Sequence, residues 1–275
     1  MVIDSHHHFW RFDTTEYPWI SEAMPILRRD YLPADLAAEA AAAGVDGVIS
    51  VQARQSLAET DWLLELAAEH PLIRGVVGWL PLAAPGIADL LAEYAVRPGL
   101  AGLRHVIQDE PDPEFMLGAA FNRGLGQLER HGLVYDLLIY ERQLPAALHL
   151  VDRHPSQVFV VDHLAKPRIA AAELEPWRSR LREIARRPNV VCKLSGVVTE
   201  ADHARWRPEQ LRPYVETALE AFGPARLMFG SDWPVCRLAC EYGRWRELVD
   251  QFLGGCTAAE RAAVMGGTAA TVYGC

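Results

Sequence analysis

The 275-residue sequence lacks the features that mark several large classes of protein. No apolar run approaches the roughly 18 residues that span a bilayer, and the start has no basic segment followed by an apolar one. We therefore expect neither a membrane anchor nor a secretion signal. Basic residues are fewer than acidic ones: the sequence has 27 Lys and Arg and 36 Asp and Glu, which gives a formal net charge of −9. This balance disfavours nucleic acid and anionic membranes as partners, although a local arginine could still bind an anionic small molecule.

Cysteine is scarce and shows no recognisable pattern. The five cysteines are odd in number and have neither CxxC nor zinc-ribbon spacing. We therefore expect a reduced, cytoplasmic protein. A glycine-rich phosphate-binding turn is also missing after the first predicted strand, which disfavours a doubly wound dinucleotide-binding sheet.

The sequence does contain a regular alternation of short β-rich runs with helical stretches rich in Ala, Leu, Glu and Arg. Eight strands with helices between them predict a (β/α)8 barrel, a TIM barrel of the α/β class. No linker or shift in composition divides residues 1–275, so we expect a single domain. Residues 11–33 are predicted to form an extra loop over the barrel mouth. The predicted strands are Val2–His7, Gly47–Gln52, Ile73–Trp79, Leu100–Val106, Leu133–Ile139, Val158–Asp162, Val190–Leu194 and Leu227–Gly230.

Three consecutive histidines lie in "IDSHHHFW", residues 3–10. An affinity tag normally carries a longer run with a flexible flank, whereas this pattern is typical of the end of a strand. Side chains alternate along a strand, so His6 and His8 point one way and His7 the other. Two imidazoles on one face can share a metal ion or a substrate. Satisfied core histidines are the alternative.

Polar or aromatic side chains mark nearly every predicted strand end, where (β/α)8 barrels carry their catalytic groups. Arg104 would be costly at a barrel mouth without an anion or carbonyl to meet, so we expect it to be functional. A turn-capping role for Asp232, a pairing of His163 with Asp162 and a structural role for Lys193 are the alternatives. The candidates at strand ends are His6, His8, Gln52, Trp79, Arg104, His105, Asp136, His163, Lys193 and Asp232.

The sequence resembles the amidohydrolase superfamily, and within it the branch of sugar lactonases that includes L-fuconolactonases and L-rhamnonolactonases. The resemblance covers essentially the whole chain and implies a reaction centre of His6, His8, His163 and Asp232. The motifs that carry it are, in order, "IDSHHHFW", "YPWI", "VISVQAR", "ETDWLLELA", "VVGWLPL", "GLRH", "VVDHLAKP", "CKLSG" and "MFGSDWPV".

One departure from the superfamily concerns metal. Its metal-dependent members complete their site with a histidine or a carbamylated lysine from a middle strand, whereas the fifth predicted strand here, "LVYDLLIYE", offers Asp136 and no histidine. The resemblance therefore implies at most one divalent ion, zinc, on His6, His8 and Asp232, and activity need not require it.

The activity that the resemblance implies is ring opening of a sugar-derived lactone such as L-fucono- or L-rhamnonolactone. Asp232 would accept a proton from water, while Arg104 and His163 would stabilise the oxyanion. The side chains expected to bind substrate are Gln52, Trp79, His105, Trp10 and Lys193, with the tryptophans as platforms for a sugar ring.

Two other functions compete with this reading. One is a zinc-dependent decarboxylase, or a hydrolase of another carboxylated small molecule. A complete metal set that includes a histidine on strand five would favour the decarboxylase, and this chain lacks that histidine. A non-catalytic sugar-acid binding protein would lack the water-activating carboxylate, yet Asp232 is present. The expected partner is a small lactone, with no nucleic acid or membrane, and homo-oligomerisation is left open.

Overall fold

Eight parallel strands form one sheet in which neighbours follow chain order. The computed structural model describes residues 1–275. All eight predicted strands are present with ends within two residues of the prediction, so the predicted (β/α)8 barrel is confirmed. The strands are β1 (Ile3–His7), β2 (Gly47–Val51), β3 (Ile73–Gly78), β4 (Leu100–His105), β5 (Val134–Leu137), β6 (Phe159–Val161), β7 (Val190–Leu194) and β8 (Leu227–Phe229).

The first and last strands meet through the residues that follow them. His8 N donates to Trp233 O over 2.7 Å, and Asp232 N donates to His6 O over 2.8 Å. Closing the sheet in this way removes its free edges. It also brings the histidines of β1 next to the aspartate that follows β8.

Helices lie between successive strands and after the last one. In α5 the buried residues Leu144, Ala147, Leu150 and Val151 recur at helical spacing, so one face packs on the sheet. The helices are α1 (Pro33–Ala42), α2 (Leu57–Glu69), α3 (Ile87–Ala95), α4 (Ala119–Leu125), α5 (Leu144–Arg153), α6 (Trp177–Ile184), α7 (Pro208–Phe222), α8 (Tyr242–Phe252), α9 (Ala258–Ala262) and α10 (Thr268–Tyr273). None combines the length and the apolar composition that crossing a bilayer requires.

The C-terminal helix α10 fills the end of the barrel where the strands begin. Gly266, just before it, lies so close to the start of β1 that an added Cβ would stand 2.5 Å from Met1 O. Ala269 and Tyr273 belong to the small apolar cluster inside the barrel. The Tyr273 hydroxyl donates to the Asp136 carboxylate over 3.0 Å. This end is therefore sealed, and only the opposite end is open to a ligand.

The loop between β1 and α1 reaches the open end, as predicted. Trp10 and Tyr31 pair their backbones at its base, over 3.0 and 2.9 Å. Farther along the loop, Trp19 Nε1 donates to Ala53 O, just after β2, over 3.1 Å. The loop thereby covers part of the barrel mouth.

Candidate active site

Four side chains converge at the open ends of β1, β6 and β8. His6 Nε2 and His8 Nε2 lie 3.2 Å apart. Asp232 Oδ1 lies 3.5 Å from His8 Nε2, 3.8 Å from His6 Nε2 and 3.9 Å from His163 Nε2. All four side chains are buried. The structure therefore brings together the reaction centre that the resemblance implies.

Two of the imidazoles are oriented by contacts at their second nitrogen. His8 Nδ1 lies 2.8 Å from Val51 O, which can only accept, so this nitrogen carries the proton and Nε2 has a free lone pair. His163 Nδ1 lies 2.9 Å from Ser195 Oγ. Gly196, at φ +60°, lets the chain pass this ring, because a Cβ there would stand 2.5 Å from His163 Nδ1. Both rings are thus held before a ligand arrives.

A fully buried charge network lies around His6. Lys193 Nζ contacts the Asp136 carboxylate, lies 3.0 Å from Asp162 Oδ1 and 3.1 Å from His6 Nδ1. Arg104 Nη1 donates to Asp162 Oδ2 over 3.0 Å and lies 3.3 Å from His6 Nε2. Two cations meet two carboxylates, so charge that would be costly alone in the interior is paired.

Burial and neighbouring charges set the protonation states of the reaction centre. Burial lowers the pKa of His163 to about 4 and also lowers that of His8. Burial, with the Lys193 charge adding to it, holds the pKa of His6 well below its ordinary value. Burial alone would raise the pKa of Asp232, but His163 and His8 outweigh it, and the pKa falls below its ordinary value. At neutral pH the site therefore presents three neutral imidazoles and one carboxylate.

The backbone that carries two of these groups is strained. Asp232 has φ 59°, and all four residues of His163–Lys166 have φ between 49° and 56°. Each L-residue in this left-handed region costs on the order of 1–2 kcal/mol. Trp177 Nε1 holds the turn by donating to Leu164 O over 2.6 Å. Strain of this kind persists only where the surroundings fix it, and it clusters at functional sites.

A cavity of about 140 Å³ opens beside Asp232. A cavity of roughly 150 Å³ holds a benzene-sized ring, so this space suits one small ring. The residues that line it are His8, Trp19, Ala53, Arg104, Val106, Gln108, Asp109, Leu138, His163, Lys166, Asp232 and Val235.

The residues predicted to bind substrate lie outside the wall of this cavity. Gln52 is fully buried and supports Arg104, since its Nε2 donates to Arg104 O over 3.3 Å and its backbone carbonyl accepts from the Arg104 guanidinium. Trp10 is fully buried, and its indole donates to Leu27 O and Arg29 O. Both therefore have partners within the protein.

The other three predicted binding residues are also engaged elsewhere. Trp79 Nε1 donates to His105 Nδ1 over 3.2 Å, and His105 Nε2 lies 2.6 Å from Glu110 Oε1. Lys193 lies beneath the site in the charge network, with no exposed surface. The structure assigns these three residues internal contacts rather than contact with the cavity.

Sequence reasoning missed several residues that do line the cavity. Lys166 follows His163 by three residues in "VVDHLAKP", and Trp19 lies in "YPWI", so both lie in motifs that carry the family resemblance. Gln108 and Asp109 follow β4 by three and four residues. A search limited to the strand ends could not find them, because they lie on the loops beyond.

The three residues predicted to hold a divalent ion fit one. Ligand bonds of 2.0–2.1 Å in a tetrahedral zinc site place ligand atoms about 3.4 Å apart, close to the 3.2, 3.5 and 3.8 Å between His6, His8 and Asp232. Asp162 Oδ1 accepts no well-aligned hydrogen bond and lies 3.3 Å from His6 Nδ1, a position from which a carboxylate commonly orients a metal-bound histidine. A second group that could hold an ion, formed with Asp162 and His163, also includes His6.

Known proteins resemble this chain over nearly its whole length. A family model described as amidohydrolase matches residues 3–275. A protein named L-fucono-1,5-lactonase from Burkholderia multivorans is 47% identical, over 98% of this chain and 95% of the relative. Another of that name, from Burkholderia ambifaria, is 36% identical over 98% and 94%.

The fold agrees with that of a solved relative. The crystal structure of a Burkholderia multivorans amidohydrolase with bound zinc has a TM-score of 0.95 to this chain at 45% identity, covering 100% of this chain and 99% of that one. The predicted resemblance is confirmed. The family model and these relatives show that the chain belongs to the amidohydrolase family.

Proposed function

We propose that this protein hydrolyses the ring ester of a sugar-derived lactone. The observation that carries the proposal is an ionised Asp232 beside neutral imidazoles and Arg104, in a cavity the size of one ring. Two relatives, at 47% and 36% identity, are named L-fucono-1,5-lactonase, so that lactone is the first candidate substrate. All five cysteines are free, which suits the cytoplasm as the compartment.

Asp232 is the general base of this reaction. Its carboxylate takes a proton from water as the water oxygen attacks the ring carbonyl carbon. The bond from that carbon to the ring oxygen then breaks, and the proton passes from Asp232 to the departing alkoxide. The product is the open-chain hydroxy acid. A lowered pKa keeps Asp232 ready to accept the proton at neutral pH.

Arg104 and His163 stabilise the negative charge that develops on the carbonyl oxygen. Both line the cavity together with Asp232. When the Ser195 hydroxyl donates to His163 Nδ1, the proton of this neutral ring lies on Nε2, which faces Asp232. Donors fixed in advance at such a place contribute on the order of a hundredfold to a thousandfold in rate.

A divalent ion could bind next to these catalytic groups. His6, His8 and Asp232 would hold it, and it would polarise the ring carbonyl and make the water more acidic. We propose one ion per chain at most. A lactone is already an activated ester, so Asp232, Arg104 and His163 support hydrolysis without the ion.

A panel of aldonolactones tests the proposal. We expect the purified protein to release acid from L-fucono-1,5-lactone, followed with a pH indicator, far above the spontaneous rate in buffer and with heat-denatured protein. Absence of acid release across the panel would contradict a lactonase. Release of carbon dioxide from aromatic acids would favour a decarboxylase instead.

A further inference from the structure

The wall of the cavity contains two cationic side chains, Lys166 and Arg104, and each is paired with a carboxylate. Lys166 lines the cavity, carried there by the strained turn after β6. Its Nζ lies 3.9 Å from Glu200 Oε1 and 5.6 Å from the centre of the Tyr140 ring. Arg104, the other cation of the wall, is bound to Asp162. Lys166 is therefore already paired, and Arg104 binds Asp162 and, in the proposed reaction, the carbonyl oxygen, so neither is left to neutralise a separate carboxylate on a ligand.

The approach to the cavity is acidic. An open recess of about 460 Å³ adjoins the cavity and shares Trp19, Ala53, Val106 and Asp109 with its wall. The recess contains three carboxylates and one guanidinium, and that guanidinium pairs with one of the carboxylates. The charged residues are Glu16, Asp109 and Glu110, with Arg54 paired to Glu16.

Other basic side chains near this wall do not line the cavity. Arg142 packs on the Tyr140 ring, 4.7 Å from its centre, but is exposed and does not line the cavity. His203 is also exposed, and its Nε2 lies 3.0 Å from Thr199 O. A carboxylated ligand would thus meet Asp109 in the wall, and Glu200 beside Lys166, without a free positive partner.

We propose that Glu200 and Asp109 are specificity-determining residues that exclude lactones bearing a carboxylate, so that the substrates are neutral polyhydroxylated lactones. The proposal rests on the proposed lactonase function. Within a cleft of low dielectric, like charges repel more strongly than in water. Hydrolysis turns the neutral lactone into a carboxylate, so the same field also drives the product out of the site.

Two unreactive ligands test the charge preference by binding alone. The first is the δ-lactam analogue of a neutral aldonolactone, and the second is the same lactam with its terminal hydroxymethyl group oxidised to a carboxylate. Calorimetry at low salt gives a Kd for each. We expect the wild-type protein to bind the neutral lactam at least about tenfold more tightly, and high salt to narrow the difference.

Isosteric variants then show which carboxylates produce the preference for the neutral lactam. Glu200→Gln frees Lys166 of its partner, and Asp109→Asn removes a carboxylate from the wall itself. We expect each to reduce the preference for the neutral lactam by about threefold. Glu129→Gln, an exposed position shortly before β5, changes the net charge equally and should leave the preference unaltered. Lys166→Met should widen the preference.

Three results would overturn the proposal. They are equal binding of the two lactams by wild type, failure of wild type to bind the neutral lactam, and an unchanged preference in both Glu200→Gln and Asp109→Asn. The proposed lactonase function is tested separately from the charge preference. A protein that binds the neutral lactam selectively yet hydrolyses no lactone would contradict the lactonase reaction while the charge preference stands.

Discussion

At the scale of single residues, Arg104 contacts groups from three different strand ends. Its guanidinium binds the Asp162 carboxylate and the Gln52 carbonyl, and it lies 3.3 Å from His6 Nε2. The same side chain lines the cavity beside Asp232. It therefore joins the buried charge network to the place where a substrate carbonyl would lie.

Replacing this residue separates its possible roles. Arg104→Met keeps the length of the side chain but removes every donor, so we expect kcat and kcat/KM to fall together, by about a hundredfold to a thousandfold. Arg104→Lys keeps the charge without the fork and should recover part of the loss. Lactone kinetics and thermal melts on both variants provide the measurement. An unchanged kcat with a raised KM would contradict the role at the oxyanion.

At the scale of elements, Glu59 connects the first turn of α2 to the loop between β1 and α1. Its carboxylate accepts from Ala53 N over 3.1 Å, from Arg54 N over 2.8 Å and from the Tyr17 hydroxyl over 3.1 Å. These contacts hold the segment after β2, where Ala53 forms part of the cavity wall. Burial raises the pKa of Glu59 to about 7.

The raised pKa makes the stability contributed by Glu59 depend on pH. The pKa in the folded state, about 7, exceeds the ordinary value of 4.5. The stability that Glu59 contributes is therefore full below pH 4.5 and is lost as pH rises through 7. Between about pH 5 and about pH 8 we expect wild type to lose about 2 kcal/mol relative to Glu59→Gln. Urea unfolding of both proteins across this range measures the difference. Parallel pH profiles would contradict the assignment.

The strands were easier to predict from sequence than the burial of the side chains at their ends. The alternation of β-rich and helical segments predicts all eight strands, and the two-residue period places His6 and His8 on one side of β1. The sequence also places Lys193 and Gln52 at strand ends. Whether their side chains reach the cavity or stay buried beneath it depends on strand tilt and on partners from distant segments. Lys193 meets Asp136 and Asp162, which no local pattern joins to it.

At the scale of the whole molecule, barrel closure creates the site. His8 and Asp232 are 224 positions apart in the chain, yet hydrogen bonds between the segments after β1 and β8 bring them within 3.5 Å. The fold was predictable because its pattern repeats along the chain. The cavity wall was only partly predictable, since Trp19, Asp109 and Lys166 lie on loops whose course depends on the assembled barrel.

The two possible ligand groups for a metal ion both include His6, which supports the proposal of at most one ion per chain. We expect elemental analysis of the purified protein to find at most one zinc ion per chain, and chelation to leave substantial lactonase activity. Zinc that binds only the folded state should raise the Tm, and His8→Ala should reduce that shift. Two ions per chain, or complete loss of activity that zinc restores, would contradict this account.

The most direct test of the central claim is the kcat of Asp232→Asn on a hydrolysed lactone. The amide is isosteric but cannot accept a proton from water, so kcat should fall by about a hundredfold to ten-thousandfold. The Tm and the Kd for the neutral lactam, measured alongside, should stay close to those of wild type and show that fold and cavity are intact. A kcat near the wild-type value in this variant would contradict the assignment of Asp232 as the base that activates water.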